Sequence, residues 1–161
     1  MEQLVAEWYE YKGYFVKRNV PVGKRPQGGY QGELDVVAFS PTKMRLIHIE
    51  TSTDADSWAK REERYKRKFE LGKKYIPEIF KGMNIPDQIE QIALLASASK
   101  QKHKTLGGGK IVLVSEFLEN IFKELKSTSI SKNAIPEHWP LLRLIQFIVT
   151  YKGKIIKILN E

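Results

Sequence analysis

Two carboxylates stand where neighbouring β-segments can bring them together: Asp35 in GELDVVAF and Glu50 in RLIHIETS. Both stretches read as strands, and Pro41-Thr42-Lys43 between them reads as the turn of a hairpin. Side chains alternate across a strand, so Glu33, Asp35 and Val37 share one face, as do His48, Glu50 and Ser52 on the next. Closing the hairpin tightly over Thr42 and Lys43 pairs residues whose numbers sum to 85, which sets Asp35 directly opposite Glu50. Facing carboxylates repel, and the sheet is destabilised unless a cation lies between them. A hard divalent ion, Mg²⁺ or Mn²⁺, suits that place, since it takes one or two carboxylates together with waters and phosphate oxygens. The plainer alternatives are that Asp35 caps a turn or pairs with a lysine, and that Glu50 pairs with an arginine. His48, two residues before Glu50, is read as a hydrogen-bonded core residue rather than as a base.

Positive charge surrounds this pair. The chain carries 27 Lys and Arg against 19 Asp and Glu, a formal net charge of +8, which points to a polyanionic partner such as nucleic acid. A solubilising surface is the alternative. From Ser57 to Ile76 a helical stripe of Trp58, Tyr65, Phe69, Gly72 and Ile76 is flanked by basic residues, among them Lys60, Arg61, Arg64, Arg67 and Lys68. Asp54, Asp56 and Ser57 offer caps at its start. Gly107 to Lys110 read GGGK, but a phosphate loop needs a strand before it and a helix after it. The segment is instead read as a mobile basic loop in which Lys100, Lys102, His103 and Lys104 approach DNA. Tyr30 and Trp58 are of the right type to stack on bases, although core packing is the ordinary use of Trp58.

The elements that must position these residues follow from periodicity. A chain of 161 residues, 42% of them hydrophobic, is sized for one domain with a real core. The absence of cysteine excludes disulfides, thiolate metal sites and cysteine nucleophiles, and fits a reducing cytoplasm. The acidic N-terminus does not fit a secretory signal, and the apolar stretch from Leu144 to Tyr151 is too short to cross a bilayer, so no membrane partner is expected. Residues 1–12 read as a helix ended at Gly13, 14–20 as a strand, and 21–32 as a flexible Gly- and Pro-rich loop. After the hairpin and the basic helix come strands at 89–97 and 110–115, a helix opened by Ser115, a polar stretch, and a last helix from about Glu137 to Tyr151. The order implies an α/β fold in which helices flank a mixed central sheet, with a core over about residues 1–115 and C-terminal helices over 116–161.

An N-terminal helix with an acidic residue, a strand, then GELDVVAF, a turn and IETS resembles the PD-(D/E)xK nuclease superfamily over roughly residues 1–75. That superfamily includes restriction enzymes, archaeal Holliday-junction resolvases and Mrr-type endonucleases. The resemblance implies a restriction endonuclease-like three-layer sandwich. It also implies that Asp35 and Glu50 hold Mg²⁺ or Mn²⁺, with the Thr51 carbonyl completing the shell and Glu2 supplying a further acidic ligand, a role for which Glu7 competes. Ser52 stands where the superfamily carries lysine; its hydroxyl reaches the same pocket but brings no charge. Members that move this lysine make Lys60, or Lys24 and Arg25, the candidate replacements.

The implied function is a Mg²⁺-dependent endodeoxyribonuclease, with Asp35, Glu50, Ser52 and Lys60 at the reaction centre. Lys24, Arg25, Arg61, Arg64, Lys68, Lys102 and Lys104 are the expected DNA contacts. Two copies of one site would serve two strands, which makes a homodimer the simplest assembly. The alternatives are a DNA-binding or regulatory subunit whose nuclease site is weakened at Ser52, and a basic protein-interaction module.

Overall fold

The computed structural model describes residues 1–54, 56–98 and 103–160, so Lys100 and Lys102 of the basic loop lie outside the described residues. The chain forms two compact units, Met1–Val114 and Ser115–Glu161. Among the described residues no helix is long and apolar enough to cross a membrane.

The first unit opens with helix α1 (Glu2–Tyr11), stopped where Gly13 adopts φ +79°. Strand β1 (Phe15–Lys24) then pairs antiparallel with β2 (Tyr30–Ser40), and β2 with β3 (Arg45–Ser52). The expected loop over 21–32 is therefore mostly strand, and the turn shrinks to Arg25–Gly29, with Gly28 and Gly29 at positive φ. Pro21 misled the sequence reading because it looks like a strand breaker. It sits in β1, the edge strand, where its missing N–H removes no ladder bond from the sheet interior.

Helix α2 (Trp58–Ile79) carries the chain from β3 to the parallel strand β4 (Ile89–Leu95), the crossover that a parallel pair requires. A two-residue strand β5 (Thr105–Leu106) turns through Gly107 and Gly108 into β6 (Gly109–Leu113), which pairs parallel with β4. The described sheet has six strands in the order β1-β2-β3-β4-β6-β5, mixed in direction. The glycines expected to be mobile have a packing reason instead. A Cβ at Gly107 would come within 2.3 Å of the Lys66 backbone nitrogen, so the glycine lets this hairpin lie against α2.

The two faces of the sheet are covered by different helices, which makes this α/β unit three layers. On one face Val37, Phe39 and Leu46 pack with Ile76 of α2 and with Phe80, while Ala93, Leu95 and Ile111 pack with Tyr65 and Phe69. On the reverse face Val36, Ala38, Ile47 and Ile49 are almost fully buried. Arg18, the cross-strand partner of Val36, bonds Gln3 of α1, which puts α1 on that side. Leu34 and Asp35 are neighbours, yet both meet α2. Strict alternation is thus broken here, at the level of Asn19 in β1, which takes φ +50°.

The second unit contains most of α3 (Val114–Leu125), α4 (Pro140–Thr150) and α5 (Lys152–Leu159). The last helix starts at Pro140 rather than Glu137, and the terminal KIIKIL is helical. Buried Gln146 bonds Ile135 N–H, Thr128 Oγ1 and the Asn133 carbonyl, tying the polar 127–135 stretch to α4.

Gly72 shows how closely α2 approaches the sheet: a Cβ there would sit 2.2 Å from His48 Nδ1. We expect Gly72→Ala to force His48 off its position and lower stability by about 1–3 kcal/mol, an overpacking effect measurable by urea denaturation. An unchanged midpoint would mean that α2 does not press on His48.

Candidate functional site

The register pairs Val36 with Ile49 and Val37 with His48, which sets Asp35 abreast of Glu50 as alternation predicts. Both side chains point towards α2 and both are buried, Asp35 at 6% exposure and Glu50 at 0%. The cation between them is the Lys68 ammonium of α2. Lys68 Nζ lies 2.6 Å from Asp35 Oδ1 and also bonds Glu50 Oε2.

The remaining oxygens are held by the strands. Asp35 Oδ2 accepts from the Thr51 N–H at 2.8 Å and from the Thr51 hydroxyl at 3.2 Å. Glu50 Oε1 lies 2.7 Å from His48 Nε2 and accepts from the Asp35 N–H at 3.3 Å. His48 is fully buried, edge-on to Phe69, and its Nδ1 has no hydrogen-bond partner among the described residues. Each carboxylate is therefore fixed through one oxygen and turns the other, Asp35 Oδ1 or Glu50 Oε2, to the Lys68 side.

Burial and charge divide the three titratable groups. Burial alone would raise Asp35, but the Lys68 ammonium and the Thr51 N–H outweigh it and hold the carboxyl below its ordinary value. Burial dominates at Glu50 and raises it, with the Asp35 charge acting in the same direction against His48 and Lys68. Lys68 loses solvation too, yet its two carboxylate partners keep it above the ordinary lysine value, and so protonated.

The donor set fits a hard divalent ion in kind: two carboxylate oxygens converge on one point and no softer ligand atom intrudes. Lys68 keeps 27% of its side chain exposed and covers the two buried carboxylates. Among the described residues no cluster of three or more His, Asp or Glu side chains is arranged to hold a metal. Glu2, the expected further ligand, lies on α1 against the reverse face of the sheet and does not join the pair. Glu7 is also on α1, buried and bonded by Gln3 Nε2 at 2.7 Å.

The other expected site residues separate in the same way. Ser52 shares the face of Glu50, but its hydroxyl is engaged by Arg64 Nη2 and the Asp54 N–H, both at 3.1 Å. Thr51 contributes its N–H and hydroxyl to Asp35, a positioning contact that the sequence reading missed. Lys60 does not reach the carboxylate pair. It is exposed on α2 beside Asp56, Glu63, Arg64 and Arg67, eight residues from Lys68 or about 12 Å along the helix. Lys24 and Arg25 lie at the exposed end of the β1–β2 hairpin, about 17 Å of strand from Asp35. Lys68, expected among the DNA contacts, instead bridges the carboxylates.

Arg61, also expected to contact DNA, is buried at 9% exposure and donates to the Ser97 and Asp54 carbonyls, which ties loops to α2. Arg64 pairs with Asp54 at 2.7 Å and Asp56 at 3.1 Å, so two of the three expected helix caps serve as its counter-ions, while Ser57 stands at the N-cap position. Lys104 is exposed. Trp58 packs against the Tyr65–Phe69 cluster and stacks on His103 with ring centroids 3.7 Å apart.

No protein-family model and no curated protein matches the sequence. Among solved structures, the chain is similar to "Crystal Structure of Protein of Unknown Function AF1548" at 18% identity and TM-score 0.49, covering 90% of this chain and 77% of that one.

Lys68→Met leaves two buried carboxylates without a counter-charge. Breaking a buried pair costs about 3–5 kcal/mol, and the partial exposure of Lys68 favours the lower end, about 3 kcal/mol at pH 7. The loss should shrink as the pH falls from neutrality towards 4.5. Lys68 lowers the proton affinity of both carboxyls, so without it the folded variant takes up protons at higher pH than the folded wild type and regains stability as pH drops. Urea midpoints across that range check the sign; a loss that grows on acidification would refute the assignment.

Proposed function

We propose that the protein is a divalent-metal-dependent endodeoxyribonuclease of the PD-(D/E)xK kind. The observation that carries this reading is the convergence of Asp35 Oδ1, Glu50 Oε2 and Lys68 Nζ on one point beneath the partly exposed Lys68 side chain. The same three residue types serve phosphodiester hydrolysis in that superfamily, here with the lysine delivered from α2 instead of from the position of Ser52.

Asp35 and Glu50 would hold Mg²⁺ or Mn²⁺ through the two oxygens that the strands leave turned to the pocket. Such an ion, when bound, supplies a Lewis acid for the phosphate oxygens and a more acidic water. Thr51 and His48 fix the carboxylates in orientation. Lys68 stays protonated at neutral pH, so its role is to offset negative charge on the substrate phosphate rather than to accept a proton. The basic face of α2 around Lys60, Arg64 and Arg67 lies beside the pair and is suited to flanking phosphates. A homodimer would bring two such sites to two strands.

One observation favours a second reading, a DNA-binding or regulatory subunit without cleavage. Lys68 already pairs with both carboxylates, so the cluster also stands as a structural ion pair. Supercoiled-plasmid cleavage in Mg²⁺ or Mn²⁺ separates the two. The nuclease reading expects nicking by the wild type and at least a hundredfold loss in Asp35→Ala, Glu50→Ala and Lys68→Ala, the size of effect seen when one stabilising group is removed. Salt-sensitive DNA binding that survives Asp35→Ala, with no cleavage in either metal, would establish the second reading instead.

Metal occupancy has its own readout. Millimolar Mn²⁺ should raise the thermal midpoint of Lys68→Met more than that of the wild type, because the ion replaces the missing charge. Equal shifts in Lys68→Met and in the Lys68→Met, Asp35→Asn double variant would count against metal binding at the pair.

A further inference from the structure

We propose that the pocket between the β1–β2 hairpin and α2 takes an unpaired nucleobase of the DNA strand, about three to five nucleotides from the phosphate positioned at Asp35 and Glu50. This rests on the DNA-directed reading above and adds a substrate class to it: DNA with unpaired nucleotides beside the cut.

The pocket is lined by Pro21, Gly23, Lys24, Tyr30, Tyr75 and Glu78, among others, and encloses about 250 Å³. At about 30 Å³ per liquid water, that is room for some eight small groups, the scale of one base rather than of a base pair. Its construction is specific. Gly23 takes φ +68°, and a Cβ there would come 2.7 Å from the Tyr75 hydroxyl, so glycine alone lets that ring close the floor. Tyr30, paired across the hairpin with Lys24, leaves 48% of its surface free at the rim. An exposed tyrosine beside lysine is a stacking platform with a phosphate contact next to it. The Lys74 ammonium, 4.9 Å from the Tyr75 ring centroid, adds charge at the same rim. Glu78 is the acidic lining residue; it repels a phosphate but accepts from the amino groups of a base, which favours the base as the part that enters.

Position links the pocket to the carboxylates. Lys68, Leu71, Tyr75 and Ile79 recur at three- and four-residue steps, so they form one flank of α2. Contacts of Lys68 with Asp35, of Leu71 near Gly32 and of Tyr75 near Gly23 show that this flank faces β1 and β2. From Lys68 to Tyr75 is seven residues, about 10 Å along the helix axis. A stacked strand advances about 3.4 Å per nucleotide, so Tyr75 is about three nucleotides away and Tyr30, about 17 Å of strand from Asp35, about five. A base enters such a pocket only after leaving its stack, which an unpaired nucleotide does at the lowest cost.

The test uses the full chain in EDTA and fluorescein-labelled 30-mer DNA, either fully paired or carrying a three-nucleotide single-stranded gap. Wild type should bind the gapped DNA about tenfold more tightly, the scale of one base–aromatic stack. Tyr30→Ala should abolish that difference while leaving affinity for paired DNA unchanged, and Tyr30→Trp should keep it. Equal affinities for the two DNAs in wild type, or an undiminished preference in Tyr30→Ala, would overturn the proposal. Plasmid cleavage on the same preparations keeps the two readings apart. Preference without cleavage supports the pocket and removes the nuclease, whereas cleavage without preference removes the pocket alone.

Discussion

A single ammonium group bridges two carboxylates that the sheet itself buries side by side. Asp35 and Glu50 are forced together by strand register, and neither can turn away, because Thr51 and His48 each hold one of their oxygens. Without a counter-charge the hairpin would carry two desolvated negative charges at bonding distance, an arrangement that a marginally stable fold cannot carry. Lys68 therefore acts at two levels. It lets β2 and β3 pair in this register, and it clamps α2 onto the sheet above them.

The register in turn depends on a tight turn. Ser40 pairs with Arg45, leaving Pro41–Met44 to reverse the chain, with Met44 in the left-handed region at φ +46°. A slip of one residue would swing Glu50 to the reverse face, among Ile47 and Ile49, and strand it in an apolar layer. The glycines of the α2 face serve the same end. Gly72 brings the helix onto His48, and Gly107 brings the β5–β6 hairpin onto α2, so the pocket is set by backbone contacts that no larger side chain permits.

Much of this was legible in the sequence because it is local. Alternation in GELDVVAF and RLIHIETS, together with a short turn, is enough to oppose Asp35 and Glu50, and even the need for a cation follows. Its identity did not, because Lys68 reaches the pair from 18 residues beyond Glu50 through a tertiary contact. A signal existed: Lys68 immediately precedes the core residue Phe69, four before Gly72, so it borders the buried stripe, whereas Lys60 lies on the solvent side. The same limit hid the roles of Arg61 and Asp54, whose partners come from other elements. Glu2 failed for a different reason. Its place on the first helix is legible, but which face of the sheet that helix covers depends on Arg18 and Gln3 meeting across the fold.

Under the nuclease reading, a divalent ion would have to share its place with Lys68. Asp35 Oδ1 and Glu50 Oε2 are shared property: the lysine and a divalent ion make claims on the same two atoms. A lysine has a flexible four-carbon stem and a compact charge, so it can leave those oxygens for solvent and meet a phosphate there without moving its helix. An arginine in its place would fork both carboxylates in fixed geometry and resist displacement. The choice of lysine is thus what keeps a stabilising ion pair compatible with an exchangeable one. The raised proton affinity of Glu50 comes first from its burial, with the Asp35 charge adding to it, and one positive charge beside two carboxylates leaves net negative charge to which a second cation would be drawn.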